Sequence, residues 1–121
     1  VYINVNGNGN INYRLDQGGY MLSSNYLPKI GNWFFICTTY DRSDMKIYIN
    51  GSLDSQKNIG DVTLDTPNSL TLGSWRKNNA DWVDGKLDEV RFYNRALSDD
   101  EIFEVYRYGT FGKNLRDANV N

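Results

Sequence analysis

Apolar and polar residues alternate with a period of two over much of the chain, a pattern that predicts β-strands with one face turned toward a core. In the first such segment, Val1, Ile3 and Val5 share one face. The segments predicted as strands are residues 1–5, 11–15, 20–23, 33–40, 45–49, 61–64, 69–73 and 86–93. Many short strands at close spacing, separated by glycine, asparagine and aspartate, predict an all-β sandwich.

The segment at residues 33–40 is bulky or apolar on both faces, which favours a strand inside the sandwich over a strand at its edge. Cys37 shares a face with Trp33 and Phe35. This position favours a packed, small hydrophobic side chain over a reactive thiol.

Asn50 and Gly51 predict the turn of a β-hairpin. A two-residue type I′ turn needs a positive φ at both central positions, and Asn-Gly is the pair that adopts it most readily. Residues 50–52 also form the Asn-Gly-Ser acceptor motif for N-glycosylation. The turn is the favoured interpretation because so short a motif matches often by chance.

One helix is predicted near the end of the chain, from about Asp99 to Tyr108. Ser98 and Glu101 have the spacing of a capping box, in which each side chain accepts a hydrogen bond from the backbone N–H of the other residue. Leu97 and Ile102 have the spacing of a hydrophobic staple across the same helix start.

Composition excludes several classes of function. The chain has 121 residues with 13 Lys+Arg and 15 Asp+Glu, so it fits one domain and has no basic stripe for nucleic acid. No apolar run is long enough for membrane insertion. Histidine is absent and Cys37 is the single cysteine, which excludes Ser-His-Asp and Cys-His catalysis, zinc sites of these residues and an internal disulfide. Because the first residue is Val1 and not Met, we expect a processed product or part of a longer protein.

Several separated motifs carry a resemblance to a known family. Residues 31–33, 39–41, 47–51, 72–73 and 84–98 have the sequences GNW, TYD, IYING, LG and DGKLDEVRFYNRALS. In this order they resemble the laminin G-like domains of the concanavalin A-like superfamily, over about residues 32–108. The resemblance implies an all-β, concanavalin A-like jelly-roll sandwich of two antiparallel sheets with one short C-terminal helix.

The resemblance also implies that this chain lacks N-terminal strands of the complete fold. Residues 1–112 are then the C-terminal portion of a laminin G-like domain, and residues 113–121 form a polar tail or linker. Neighbouring domains of the parent protein or a partner chain would supply the missing strands.

Catalysis is not expected, although some relatives in the superfamily are glycoside hydrolases. Hydrolysis of a glycoside normally takes two carboxyl groups on one surface. Glu101 and Glu104 lie on the predicted helix, and Asp88 and Glu89 are adjacent on a predicted strand and so point to opposite faces. The Glu-x-Asp-x-x-Glu pattern of the superfamily's hydrolases is absent, which predicts a non-enzymatic domain.

Asp88 is the first candidate metal ligand. It shares parity with Val90 and Phe92, so we expect it on a buried or half-buried face, where a carboxylate needs a partner. The resemblance implies a Ca²⁺ ligand, with Asp84 as a second candidate. The alternative is a structural aspartate that is paired with backbone amides or an arginine, and the residues leave both interpretations open.

The candidate ligand-binding residues lie in the segment from Trp75 to Trp82. The segment also contains Asn78, Asn79 and Asp81, and an aromatic face beside amides and carboxylates is the composition of sugar sites. The alternative is an ordinary polar loop. The resemblance favours a packing role for Trp82 and ligand contact for Trp75.

These observations predict a non-enzymatic, extracellular recognition module of a larger secreted or surface protein. Its ligand would be a carbohydrate or a cell-surface protein, as in cell adhesion. Two alternatives stay open: a structural spacer or assembly subunit of a surface fibre or adhesin, and an accessory domain of a secreted hydrolase.

Overall fold

The structure is a computed structural model that describes residues 1–15, 19–64, 70–75 and 80–109. The strands in these ranges are β1 (Tyr2–Val5), β2 (Ile11–Arg14), β3 (Met21–Ser23), β4 (Ile36–Tyr40), β5 (Asp44–Ile49), β6 (Ser52–Asn58), β7 (Ser74–Trp75) and β8 (Ala80–Trp82). Helix α1 (Asp99–Arg107) follows them. The predicted boundary at residue 112 and the predicted tail lie outside the described residues.

Two antiparallel sheets form the body of the domain. Strands β1, β2 and β3 pair in that order, as do β4, β5 and β6, and β7 pairs with β8 separately. Alternate residues of the two three-stranded sheets meet in one core. Its buried members are Ile11, Tyr13, Leu15, Leu22, Met45, Ile47 and Ile49. Each such side chain contributes about 1.5–3 kcal/mol of hydrophobic free energy, and the predicted sandwich of antiparallel sheets is confirmed.

The second face of β5 is covered by the helix. Tyr48 forms a smaller buried cluster with Leu97 and Ile102. Strand β5 is therefore buried on both faces and lies in the middle of its sheet. Cys37 packs against this smaller cluster, as expected for a small hydrophobic side chain, and burial raises the pKa of its thiol to about 11.

The predicted inner strand at residues 33–40 is shorter and placed differently. Strand β4 begins at Ile36 and lies at the edge of the described sheet β4–β5–β6. Asn50 explains the late start, because its side-chain oxygen accepts a hydrogen bond from the Phe35 N–H at 2.9 Å and its own N–H donates to the Phe35 carbonyl at 3.0 Å. The turn thus occupies the backbone groups of residue 35 that would otherwise extend the ladder.

The hairpin turn itself is confirmed. Asn50 and Gly51 have φ angles of 50° and 83°, and β5 pairs with β6 on either side of them. The helix packs onto this turn so closely that a Cβ on Gly51 would lie 2.6 Å from Cδ1 of Tyr106. Glycine is required here for both its conformation and its size.

The start of the helix is also confirmed. The Ser98 hydroxyl accepts from the Glu101 N–H at 3.2 Å, and the Glu101 carboxylate accepts from the Ser98 N–H at 3.1 Å. The helix ends at Arg107, one residue before the predicted end.

A β-bulge in β6 joins the two sheets. The ladder passes from the pair Ile47 and Ser55 to the pair Tyr48 and Leu53, so Asp54 is the extra residue. Its carboxylate accepts hydrogen bonds from the backbone N–H groups of residues 25 and 26 at 2.8 and 3.1 Å. These bonds tie β6 to the segment that follows β3.

The predicted final strand at residues 86–93 is wrong. This segment pairs with no strand in the described part of the chain, and Glu89 interrupts its extended path with a φ of 53°. Its apolar side chains are exposed, and Phe92 has an exposed fraction of 69%. Residues 61–64 and 70–73, also predicted as strand, lie outside regular structure too. Alternation produces a strand only where a neighbouring backbone is available for pairing.

The first predicted strand is present as β1, but the face that carries its apolar residues is exposed. Ile3 pairs with Tyr13 and Val5 pairs with Ile11, which places both on the side of the core. They are nevertheless exposed, by 47% and 56%, as is Val1. Residues 1, 3 and 5 and residues 87, 90 and 92 are hereafter called the open strips.

Candidate functional site

The predicted ligand-binding segment begins and ends in two paired antiparallel strands, which we call the β7–β8 hairpin. Strands β7 and β8 pair Ser74 with Trp82 and Trp75 with Ala80. Asn78, Asn79 and the side chains of Trp75 and Asp81 lie outside the described residues. The Trp82 side chain is 67% exposed, so the expected packing role for it is wrong and its indole is presented to solvent.

The candidate metal ligands are on the surface. Asp88 and Asp84 are both exposed, so the expected buried face for Asp88 is wrong, because residues 86–93 do not join a sheet. The Asp88 carboxylate accepts from the Glu89 N–H at 2.8 Å. In the described ranges, no group of three or more His, Cys, Asp or Glu side chains is placed to hold a metal ion. These residues do not assemble the six to eight oxygen ligands that calcium takes, and the calcium site stays a prediction.

Each of the three glutamates forms an ion pair at the surface. Glu89 contacts Arg91, Glu104 contacts Arg107, and Glu101 receives a two-pronged hydrogen bond from Arg95. The Arg95 guanidinium and the Ser98 N–H lower the pKa of Glu101 to about 2. A general acid in glycoside hydrolysis needs a raised pKa, so Glu101 suits the anchoring of the helix and not proton donation.

A different group of residues surrounds an open cleft of about 930 Å³ at the end of the sandwich. Residues 40–42, 61–64 and 94–96 line it. These three segments are the β4–β5 turn, the chain after β6 and the loop before α1, and we call their common concavity the rim cleft.

Two walls of the rim cleft are joined by hydrogen bonds. The Tyr40 hydroxyl donates to the Gly60 carbonyl and accepts from the Val62 N–H, both at 2.8 Å. The Ser43 carbonyl accepts from the N–H groups of Ile59 and Gly60 at 2.9 and 3.1 Å. The turn and the segment after β6 therefore hold one another in position.

The turn at the mouth of the rim cleft carries charged side chains. Oδ1 of Asp41 accepts from the N–H groups of Asp44 and Ser43 at 2.7 and 2.9 Å, and these bonds lower the pKa of the Asp41 carboxyl. Arg42 has a φ of 74°, in the left-handed region, and its Nε lies 3.6 Å from the Asp61 carboxylate. The turn thus presents an ionised carboxylate and a guanidinium side by side.

The third wall is fixed by the helix start. Arg95 is held by Glu101, and Leu97, two residues later, is buried beneath the helix. Residues 94–96 are thereby attached to both the helix and the sheet below it.

Sequence reasoning missed the rim cleft. The three lining segments are about 20 and 30 residues apart in the chain, and no pattern in the sequence connects them. No local signal in the sequence marks the cleft, because the left-handed φ of Arg42 is visible only in the structure.

Comparison with known proteins decides the family. The laminin G-type model of the concanavalin A-like lectin/glucanases superfamily matches residues 1–103. The chain belongs to this superfamily. The match begins at Val1, so it extends the resemblance drawn from the motifs to β1, β2 and β3.

Two curated relatives of this superfamily member are much longer proteins. The botulinum-like toxin eBoNT/J of Enterococcus sp. (strain 3G1_DIV0629) is 30% identical over 106 residues, which cover 87% of this chain and 8% of the toxin. The human adhesion G-protein coupled receptor D1 is 26% identical over 111 residues, which cover 88% of this chain and 13% of the receptor. The chain therefore spans a small part of each relative.

One solved structure shares the fold. It is an S-layer domain-containing protein (residues 221–444) from Clostridium thermocellum ATCC 27405, with a TM-score of 0.59 and 23% identity. The alignment covers 81% of this chain and 52% of that chain. No helix in the described part of this chain is both long enough and apolar enough to span a membrane.

Proposed function

We propose that this domain is a non-catalytic recognition module of a larger secreted or surface protein and binds a carbohydrate or a surface protein. The observation that carries the proposal is the exposed indole of Trp82 at the end of the β7–β8 hairpin. An exposed tryptophan whose neighbours in the sequence carry amides and carboxylates has the composition of a sugar-stacking site.

The neighbouring sequence supports a polar ligand. Asn78, Asn79 and Asp81 supply groups that donate to or accept from hydroxyls, and Trp75 is a second candidate for stacking. The named relatives, a toxin, an adhesion receptor and an S-layer domain-containing protein, support a location outside the cell.

The surface ion pairs of the three glutamates support a role without catalysis. A retaining or inverting glycosidase needs one carboxyl group that stays protonated near neutral pH. Glu101 is held ionised by Arg95, and Glu89 and Glu104 are exposed beside arginines.

A binding experiment with matched variants tests the proposal. Trp33 is 66% exposed and lies outside the hairpin, so Trp33→Ala is the control for Trp82→Ala. On an array of glycans, we expect concentration-dependent binding that Trp82→Ala weakens and Trp33→Ala preserves. Equal loss in both variants would contradict a stacking role for Trp82.

A structural spacer or assembly subunit is the second candidate function, and the open strips favour it. Large apolar side chains that are exposed close together in the chain are typical of surfaces that other protein segments cover. If no glycan and no surface protein binds, while Phe92→Lys abolishes self-association of the chain, the spacer is the better account.

Calcium binding at Asp88 and Asp84 remains a proposal from the family resemblance. Calcium that binds only the folded state stabilises it by RT ln(1 + [Ca²⁺]/Kd), so the melting temperature rises with the calcium concentration once that concentration exceeds Kd. Millimolar calcium should then raise the melting temperature and Asp88→Asn should remove the gain, whereas an unchanged melting curve overturns the site.

A further inference from the structure

We propose that the rim cleft is a second carbohydrate subsite, which takes a neutral sugar ring and acts separately from the Trp82 hairpin. The choice of ligand class rests on the proposed function. The site itself rests on the geometry of residues 40–42, 61–64 and 94–96.

Preorganisation is the first argument. The Tyr40 hydroxyl uses its donor and its acceptor within the wall, and the Ser43 carbonyl accepts two N–H groups from the opposite segment. Asn58 adds hydrogen bonds to Ser43 and Asp44 at 2.8 and 3.0 Å. Loops that are already ordered lose little conformational entropy when a ligand binds.

The polar groups at the mouth have hydrogen-bonding capacity left over. Both bonds to the Asp41 carboxylate involve Oδ1, and no described residue donates to Oδ2. Within the described ranges, the Asn94 side chain likewise has no hydrogen-bond partner, and it lines the same cleft. A carboxylate oxygen and an amide that line the same cleft can accept from and donate to sugar hydroxyls.

Charge balance selects a neutral ligand. Arg42 faces Asp61 and Arg95 is held by Glu101, so each guanidinium in the cleft already has a carboxylate partner. An anionic ligand would have to compete with these carboxylates for the arginines. A polyhydroxylated, uncharged molecule needs only hydrogen bonds.

The remaining lining fits the apolar face of such a ring. Val62, Leu64 and Ala96 are half-buried in the wall, and Leu64 packs against the main core. The volume of about 930 Å³ lies in the upper part of the usual range for ligand pockets, about 300–1,000 Å³. One or two sugar rings are therefore the size of ligand to test.

Nuclear magnetic resonance titration of the ¹⁵N-labelled chain tests the subsite. The probes are cellobiose, laminaribiose and lactose, with sialyllactose as the anionic comparison. We expect a neutral probe to shift the amide signals of residues 40–44, 60–64 and 94–96, and to bind more tightly than sialyllactose. No shift in these residues with any probe, or tighter binding of sialyllactose, overturns the proposal.

Side-chain variants test whether the signal shifts arise from binding in the rim cleft. Asn94→Ala should weaken the cleft binding about tenfold, because one hydrogen bond of about 1.4 kcal/mol corresponds to that factor. Asn32 is exposed outside the cleft, so Asn32→Ala is the matched control and should change nothing. An equal effect of the two variants counts against the cleft.

Trp82→Ala separates this inference from the proposed function. Cleft shifts that persist in Trp82→Ala support an independent subsite. Glycan binding that depends on Trp82 without any cleft shift leaves the proposed function standing and removes the subsite. Cleft shifts with no effect of Trp82→Ala on array binding support the subsite and remove the hairpin contact.

Discussion

The Tyr48 hydroxyl donates a hydrogen bond of 2.6 Å to the Asp99 carboxylate, across 51 residues of sequence. Tyr48 lies in the middle of the β4–β5–β6 sheet, and Asp99 is the first residue of α1. The bond joins the buried face of the sheet to the start of the helix that covers it. The loop before that helix lines the rim cleft, so the bond also positions one of its walls.

Removal of this bond should destabilise the domain. Tyr48→Phe retains the ring and deletes the hydroxyl, and we expect a loss of about 1–2 kcal/mol in the free energy of unfolding. Tyr20→Phe is the control, because Tyr20 is partly exposed and its side chain bonds to no described residue. Chemical denaturation measures both, and equal stability of Tyr48→Phe and the unchanged chain would contradict a role for this bond.

Stability should fall at alkaline pH. Burial raises the pKa of Tyr48, of Tyr13 and of Cys37, the last to about 11. The unfolded chain therefore loses these protons first, which favours unfolding as pH rises above the ordinary values of about 8.5 for cysteine and about 10 for tyrosine. The stabilisation is complete below those values and disappears toward the folded-state pKa.

Denaturation curves at pH 7, 9 and 10.5 test this dependence. The unchanged chain should lose stability over this range, and Tyr48→Phe should show a smaller further loss because it has one less group to ionise. A flat profile would contradict the buried, protonated state of these residues.

The capping box should make the helix sensitive to acid. Arg95 and the Ser98 N–H lower the pKa of Glu101 to about 2. A lowered pKa contributes stability above the ordinary value of about 4.3, and this contribution is lost as pH falls toward the folded-state value. Glu101→Gln should therefore reduce the loss of helix signal between neutral pH and about pH 2.5 in circular dichroism. Glu104→Gln is the control, since its contact with Arg107 is long, at 3.9 Å.

Gly51→Ala should be strongly destabilising. The φ of 83° is unfavourable for alanine, and the new Cβ would approach Tyr106 too closely. We expect a loss of about 2–4 kcal/mol from backbone strain and overpacking together. Gly7→Ala is the control, because no atom lies within 4 Å of its Cβ position. The melting temperatures of the two variants measure the loss of stability. A small decrease for Gly51→Ala would show that the helix does not pack closely against the turn.

Local chemistry made part of this fold predictable. The Asn50-Gly51 turn and the Ser98 capping box each depend on residues that are close in sequence, so spacing alone identifies them. The strand predicted at residues 86–93 depends on a distant pairing partner, which no local pattern encodes. Because residues 86–93 pair with no described strand, Asp88 lies at the surface and not on the buried face that was expected.

The candidate site was less predictable for the same reason. Residue types alone make residues 75–82 a candidate segment, but the packing role expected for Trp82 is wrong because exposure depends on tertiary contacts. The rim cleft combines the β4–β5 turn, the chain after β6 and the loop before α1, which only the tertiary fold brings together. A bulge such as the one at Asp54, which fixes the two sheets relative to one another, likewise leaves no local signature.

The most direct test of a recognition module is to measure binding and turnover in one experiment. The purified chain is incubated with the glycans it retains on an array, and the recovered glycans are examined by mass spectrometry. The account predicts saturable binding, weakened by Trp82→Ala, with every glycan recovered at its original mass. Cleaved glycans, or no retention of any glycan or surface protein, would contradict it.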